Sequence, residues 1–216
     1  MPIKLYRCFK SREHADQLLA GRVRFGILDY YKELEDRGRG DPGEGRGVHT
    51  EYRPDLTAAV ISAGTAREVV SPGTVTVHSE CGNPVYICSL TNPPNAAAWD
   101  RVRKDFGGIV VEIDDVERLR AAICSALDPD DPWQRNAPVA LWPAVYRRGQ
   151  ELSPTVDAEL ISDPLKRAVT LKARDYEYQH EHRLVLFSYG VWQEDGDPPR
   201  FLTVRLSGPL TYARVL

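Results

Sequence analysis

Between residues 48 and 90 the chain holds short β-prone runs, Ala58 to Ser62, Thr74 to His78 and Val85 to Leu90, punctuated by Pro72-Gly73 and Gly82-Asn83-Pro84. Connections this short leave no room for a crossover helix, so these runs are expected to be antiparallel strands joined by turns. Helical patterns surround them. Residues 3 to 9 are β-prone, Ser11 stands at an N-cap position for a helix from Arg12 to Ala20, Gly21 supplies a left-handed stop, and Val23 to Gly26 is extended. Residues 28 to 36 place Leu28, Tyr31 and Leu34 on one face of a short helix.

Further along, a helix is expected over Ala96 to Lys104, then a glycine pair at 107 and 108 and a buried strand Ile109 to Ile113. Asp114 or Asp115 opens the next helix, in which Val116, Leu119, Ile123 and Leu127 form a core-facing stripe. Val139 to Arg147 reads as a strand interrupted by Pro143, which implies an edge or a bulge. A long extended stretch from Ala168 to Tyr189 and a strand Phe201 to Leu206 close the chain. The fold class is therefore α+β, with mostly antiparallel sheets and a few short helices, and 1–216 is expected to be one domain.

The net charge is −3, with both signs interleaved, so no whole-protein field points to nucleic acid or an anionic membrane, although a local basic groove stays open. No leader-like segment and no apolar run of about 18 residues occurs, which places the expected location in the cytoplasm with no membrane partner. Cys8, Cys81, Cys88 and Cys124 form no C-x-x-C pair and are expected to be buried free thiols. Arg37 to Gly47 holds five glycines and a proline and is expected to be an exposed loop; its arginines leave a substrate-contacting role open. No P-loop motif and no G-x-S-x-G is present, which excludes a phosphate-cradling P-loop and disfavours a serine hydrolase.

The stretch Tyr176 to Phe187, containing Gln-His-Glu-His-Arg, is the most unusual. As a strand over 178 to 187 it would put Gln179, Glu181, Arg183, Val185 and Phe187 on one face and Tyr178, His180, His182, Leu184 and Leu186 on the other. Each face begins polar and ends apolar, which suits a strand that enters the core from a cleft. The plain alternative is a strand end on which Glu181 and Arg183 pair across the pleat. His180 and His182, with His78 and Cys81, are weak zinc candidates by spacing, and hydrogen-bonded or solvated histidines are the preferred reading; no metal is expected.

Gln179-x-Glu181 resembles the catalytic strand of ADP-ribosyltransferases of the arginine, serine, glutamate type. Arg7 in the first strand and Ser89-Leu90-Thr91 at the end of a β-run follow that order. The resemblance implies a split sheet and NAD as substrate. It implies that Glu181 stabilises an oxocarbenium-like ribose, Gln179 orients the acceptor, Arg7 holds the diphosphate, and Ser89 with Thr91 positions the ribose. Tyr86 or Tyr30 would stack on nicotinamide. The acceptor, nucleic acid or protein, is left open.

A second resemblance spans more of the chain. Tyr6 to Phe9, Arg24-Phe25, Cys88-Ser89, Trp99, Gly108 to Asp114 and Tyr178 to Leu184 look like a widespread bacterial family of unknown function, and that resemblance implies a setting in bacterial defence. Two further readings therefore stand beside the transferase. One is a non-enzymatic ligand- or partner-binding domain, and the other is a nucleotide-processing enzyme using Arg7, Glu181 and a histidine.

Overall fold

The computed structural model describes residues 2–33, 46–53, 60–63, 66–71, 73–80, 84–147, 166, 169–188 and 196–216. The chain opens with β1 (Leu5–Phe9), α1 (Arg12–Leu19), β2 (Arg22–Ile27) and α2 (Leu28–Glu33). Gly21, at φ 82°, makes the turn between α1 and β2, a conformation that residues with a Cβ rarely adopt. Four strands, β3 (Arg46–Arg53), β4 (Val60–Ala63), β5 (Ala66–Ser71) and β6 (Gly73–Glu80), pair antiparallel in the order β3-β6-β5-β4. The turn-punctuated runs read from the sequence lie in this sheet and in the strand that follows it. The expected loop at Arg37 to Gly47 lies mostly outside the described residues, and its last two residues begin β3.

A larger sheet of eight strands carries the rest. Its members are β1, β2, β7 (Val85–Thr91), β8 (Ile109–Ile113), β9 (Val139–Pro143), β12 (Glu181–Phe187), β13 (Phe201–Arg205) and β14 (Ala213–Val215). The remaining short strands, β10 (Val145–Arg147) and β11 (Leu171–Ala173), form a parallel pair. Two helices, α3 (Ala96–Phe106) and α4 (Val116–Ser125), flank β8 in sequence. Their starts follow the rule for exposed helix amides: Asn95 accepts from the Ala98 N–H, and Asp115 from that of Arg118. The fold is α+β with antiparallel pairing throughout the eight-stranded sheet. Among the described residues no helix is long and apolar enough to cross a membrane.

Every seven-residue position of β7 pairs with β12, from Glu181↔Thr91 to Phe187↔Val85. That occupies one edge of β7, so β1 and β2 must share the other. β2 pairs at Gly26↔Ile87 and Ile27↔Tyr86, and β1 at Tyr6↔Thr91. The two strands part between these points, at the level of Ser89. The sheet is forked there.

One face of the sheet buries Leu5, Val23, Phe25, Tyr86, Cys88, Leu90, Leu184 and Leu186 against Ala15 and Leu18 of α1 and Val116, Leu119 and Ile123 of α4. The opposite face buries Val85, Ile87, Val185 and Phe187 against Leu28 and Val169. Both faces of β7 and β12 are covered, so any charge on β12 that points inward must find partners inside. Of the cysteines, Cys88 is a buried free thiol as expected, whereas Cys8 is half-buried and Cys124 exposed: Cys124 follows Ile123 on α4 and falls off the buried stripe.

Gly107 ends α3 at φ 116°, and a Cβ placed there would lie 2.2 Å from the carbonyl oxygen of Phe9. The contact is with backbone on the neighbouring strand, which cannot swing aside. Gly107→Ala should therefore lose at least about 2 kcal/mol, from backbone strain plus displacement of β1; Gly108→Ala, with open space at its Cβ, is the control in urea unfolding.

Candidate functional site

The site grows from β12. Glu181 and Arg183 share a strand face and are 4% and 0% exposed. A carboxylate moved from water into such an interior costs several kcal/mol unless its lone pairs are engaged. All are. Glu181 Oε1 accepts from Arg183 Nε at 2.8 Å and from Ser89 Oγ at 2.6 Å. Oε2 accepts from Lys172 Nζ at 2.7 Å, with Arg183 Nη2 at 3.4 Å. The remaining guanidinium nitrogen, Nη1, donates to the carbonyl of Val169.

Lys172 lies on β11 and is itself 4% exposed; its ammonium also donates to Gln179 Oε1 at 2.9 Å. Gln179 passes the network on, donating from Nε2 to the Tyr178 hydroxyl at 3.0 Å, and that hydroxyl donates to Asp105 on α3. Thr91 Oγ1 donates to the Gln179 carbonyl, and the Tyr146 hydroxyl accepts from the Glu181 N–H at 2.7 Å. One connected cluster thus joins β7, β10, β11, β12 and α3.

The electrostatics follow from this geometry. Burial by itself would raise the Glu181 pKa, but the charges and hydrogen bonds of Arg183 and Lys172 outweigh it and hold the carboxyl well below its usual range. The Tyr178 hydroxyl is pushed up to about 12, first by burial and then by its bond to Asp105. Tyr146 is also raised, by burial and by the negative charge of Glu181. His182 is lowered by burial.

The strand expected from Tyr176 begins instead at Glu181. Residues Arg174–Gln179 form a 3₁₀ turn closed by an Arg174 to Glu177 ion pair at 3.1 Å, and His180 reverses the chain at φ 40°. The long extended stretch expected from Ala168 is likewise broken: residues 169 and 170 are helical, and β11 covers only three residues. Arg174-Asp-Tyr-Glu-Tyr-Gln alternates polar and aromatic residues like a strand, but Arg174 pairs with Glu177 three residues on, Tyr176 lies under Lys172, and Tyr178 and Gln179 are drawn to Asp105 on α3 and Lys172 on β11. Gln179 therefore joins Glu181 through Lys172, not through strand alternation.

The other expected residues divide between the two faces. Ser89 and Thr91 stand beside Glu181 and Gln179. Arg7 does not join them. It follows Leu5 on the face of β1 that packs into the larger core, donating from Nη1 to Cys88 Sγ at 2.7 Å and from Nη2 to the Arg24 carbonyl at 3.2 Å. Arg7 thus bridges β2 and β7 across the fork from the opposite side. Tyr86 belongs to the same face, fully buried, with a hydroxyl that finds no hydrogen-bond partner among the described residues. Tyr30 packs edge-on against Phe201 at 5.0 Å.

Lys172 and Tyr146 were not singled out by sequence reasoning. A usable signal existed for Lys172, which directly follows Val169-Thr170-Leu171 and stands nine residues before Glu181. Of the histidine candidates, His180 is exposed and His182 half-buried, the side chain of His78 and all of Cys81 lie outside the described residues, and no group of three metal-ligating side chains occurs among the described residues. Comparison with protein-family models, curated proteins and solved structures finds no match for this chain.

Glu181→Gln should lower stability by about 3–5 kcal/mol at neutral pH, because it leaves Lys172 and Arg183 buried without a counter-charge. The folded pKa of Glu181 lies below the unfolded value near 4.5. Its stabilisation is thus complete above that value and lost as pH falls through the folded one. Urea unfolding of the two proteins from pH 7 to pH 3 should show the gap between them narrowing only below about pH 5.

Proposed function

We propose that the chain is an ADP-ribosyltransferase-like enzyme that uses NAD as substrate, with Glu181 as the catalytic carboxylate and Ser89 as its positioning partner. The observation that carries this reading is the 2.6 Å hydrogen bond from Ser89 to Glu181, two residues 92 positions apart in sequence, at the level where the sheet forks. In the reaction, the bond from ribose C1′ to the nicotinamide nitrogen breaks and its electron pair leaves with nicotinamide. A lone pair of the acceptor then forms the new bond to C1′, and the acceptor's proton goes to solvent. The intervening oxocarbenium-like ribose is stabilised by a fixed negative charge. Glu181 supplies that charge at any physiological pH, because Arg183 and Lys172 keep it ionised.

A second reading, a non-enzymatic binding domain in which the cluster is a structural clamp, is favoured by a different observation: both Glu181 oxygens are already engaged and the residue is 4% exposed. Arg7 and Tyr86, facing the other core, would then be structural too. Labelled NAD incubated with the protein and a cell lysate separates the two. The enzyme reading expects nicotinamide release or label transfer, reduced by about 10²-fold or more in Glu181→Gln. Because that variant is also destabilised, Ser89→Ala is the companion: it removes one hydrogen bond to the ionised carboxylate at a cost of about 1.5–3 kcal/mol, less than loss of the carboxylate, and should still cut turnover in a folded protein. No turnover in the wild type, or turnover at the wild-type level in folded Ser89→Ala and Glu181→Gln, supports the clamp.

A further inference from the structure

β2 and β13 form a two-strand ladder at one edge of the large sheet, with register Phe201↔Gly26, Thr203↔Arg24 and Arg205↔Arg22. Val23, Phe25, Leu202 and Val204 point into the core, so alternation sends Arg24, Phe201, Thr203 and Arg205 to the outer face. Arg24, Thr203 and Arg205 are exposed and Phe201 is half-exposed. The face is organised. The Arg24 guanidinium lies 3.7 Å from the centre of the Phe201 ring, that ring meets Tyr30 edge-on at 5.0 Å, and Arg200 lies 4.2 Å over Tyr30. Two guanidinium planes thus flank two aromatic rings at the surface. Arg205 continues the positive charge along the strand, and its side chain makes no hydrogen bond or ion pair among the described residues. Arg22 is different, since its guanidinium turns to Gln17 at 2.9 Å.

We propose that this open face of β2 and β13 docks single-stranded nucleic acid. From Phe201 to Arg205 the array extends about 13 Å along a ladder on which Arg24, Thr203 and Arg205 are exposed, with Tyr31 packed against Gly26 at its Phe201 end. A free nucleotide is normally held in a pocket that encloses it. A linear ligand that repeats negative charge and carries flat rings matches a linear array of guanidinium groups and aromatic edges. The charge is local, since the whole chain carries −3. The face shares no side chain with the Glu181 cluster, so the inference stands independently of the NAD reading.

Fluorescence anisotropy of the full chain with fluorescein-labelled dT15 and rU15, at 50 to 300 mM salt, tests it. Binding should weaken linearly on a log–log plot. Arg205→Ala should reduce the slope by about 0.7, and Arg24→Ala with Arg205→Ala by about 1.4, the value per phosphate contact for single strands being about 0.7. Phe201→Leu should weaken binding about fivefold or more, since it removes both an aromatic surface and the seat of the Arg24 guanidinium. Arg12→Ala and Arg120→Ala, on α1 and α4 across the sheet, should leave both unchanged. Absent salt-dependent binding overturns the proposal, as does an equal loss in the two helix controls. Equal binding of heparin or of anionic vesicles, with the same losses in the variants, also overturns it in favour of a general polyanion or membrane surface. Arg205 makes no contact that folding needs, so its variant keeps the test valid even if Arg24→Ala proves unstable.

Discussion

The structure depends on one buried carboxylate. β12 lies between β7 and β9 with both faces covered, a position where an apolar strand would cost nothing and a glutamate costs several kcal/mol. What makes Glu181 tolerable is that three separate segments reach it: Ser89 from β7, Lys172 from β11 and Arg183 from β12 itself. None of these contacts survives a shift of strand register, because a one-residue slip would turn Glu181 and Arg183 toward Leu90 and Cys88 in the apolar core. The cluster therefore selects one pairing of β12 with β7 and anchors the 3₁₀ turn through Gln179.

The fork in the sheet has a related physical origin. β1 and β2 both run antiparallel to β7 on the same edge, so one must leave where the other arrives. The gap is bridged by Arg7, whose two terminal nitrogens reach Cys88 on β7 and the backbone of β2. An arginine suits this place because its planar fork can serve two acceptors while its stem lies along apolar surface. Arg7 then explains a strand junction, and the cations beside Glu181 are Lys172 and Arg183.

Much of this was legible in the sequence where periodicity governs. The buried stripe of α4, the strand Ile109 to Ile113, the break at Pro143 and the left-handed Gly21 all follow from local patterns that packing then reinforces. The pairing of Ser89 with Glu181 was inferred only through a resemblance, since no local rule links residues so far apart. Parity across the sheet is not carried by any local pattern. Leu5 is the first apolar residue of β1, and two residues on, Arg7 must share its face; but which face of β1 meets which face of β7 is set by the register Tyr6↔Thr91, and the sequence does not print register. The 3₁₀ turn was missed for a similar reason. Tyr178 and Gln179 take their direction from Asp105 and Lys172, which lie on other elements.

The same cations bear on both proposed readings of Glu181. A carboxylate that stabilises a sugar cation has to be ionised and has to be reached. Lys172 and Arg183 secure the first condition and oppose the second, because they already compete for the negative charge that a ribose cation would use. Catalysis at Glu181 thus requires that substrate binding loosen at least one of these contacts. Arg183 is the poorer candidate, being wholly buried and also tied to Val169. Lys172 sits on a three-residue strand, divides its donors between Glu181 and Gln179, and stands 4.9 Å over the Tyr176 ring. Swinging its ammonium toward Gln179 would leave Glu181 Oε2 only the longer 3.4 Å contact with Arg183 Nη2, while Arg183 Nε and Ser89 kept Oε1 in place. Such a motion needs only rotation of a flexible stem, so access to Glu181 turns on the mobility of one lysine.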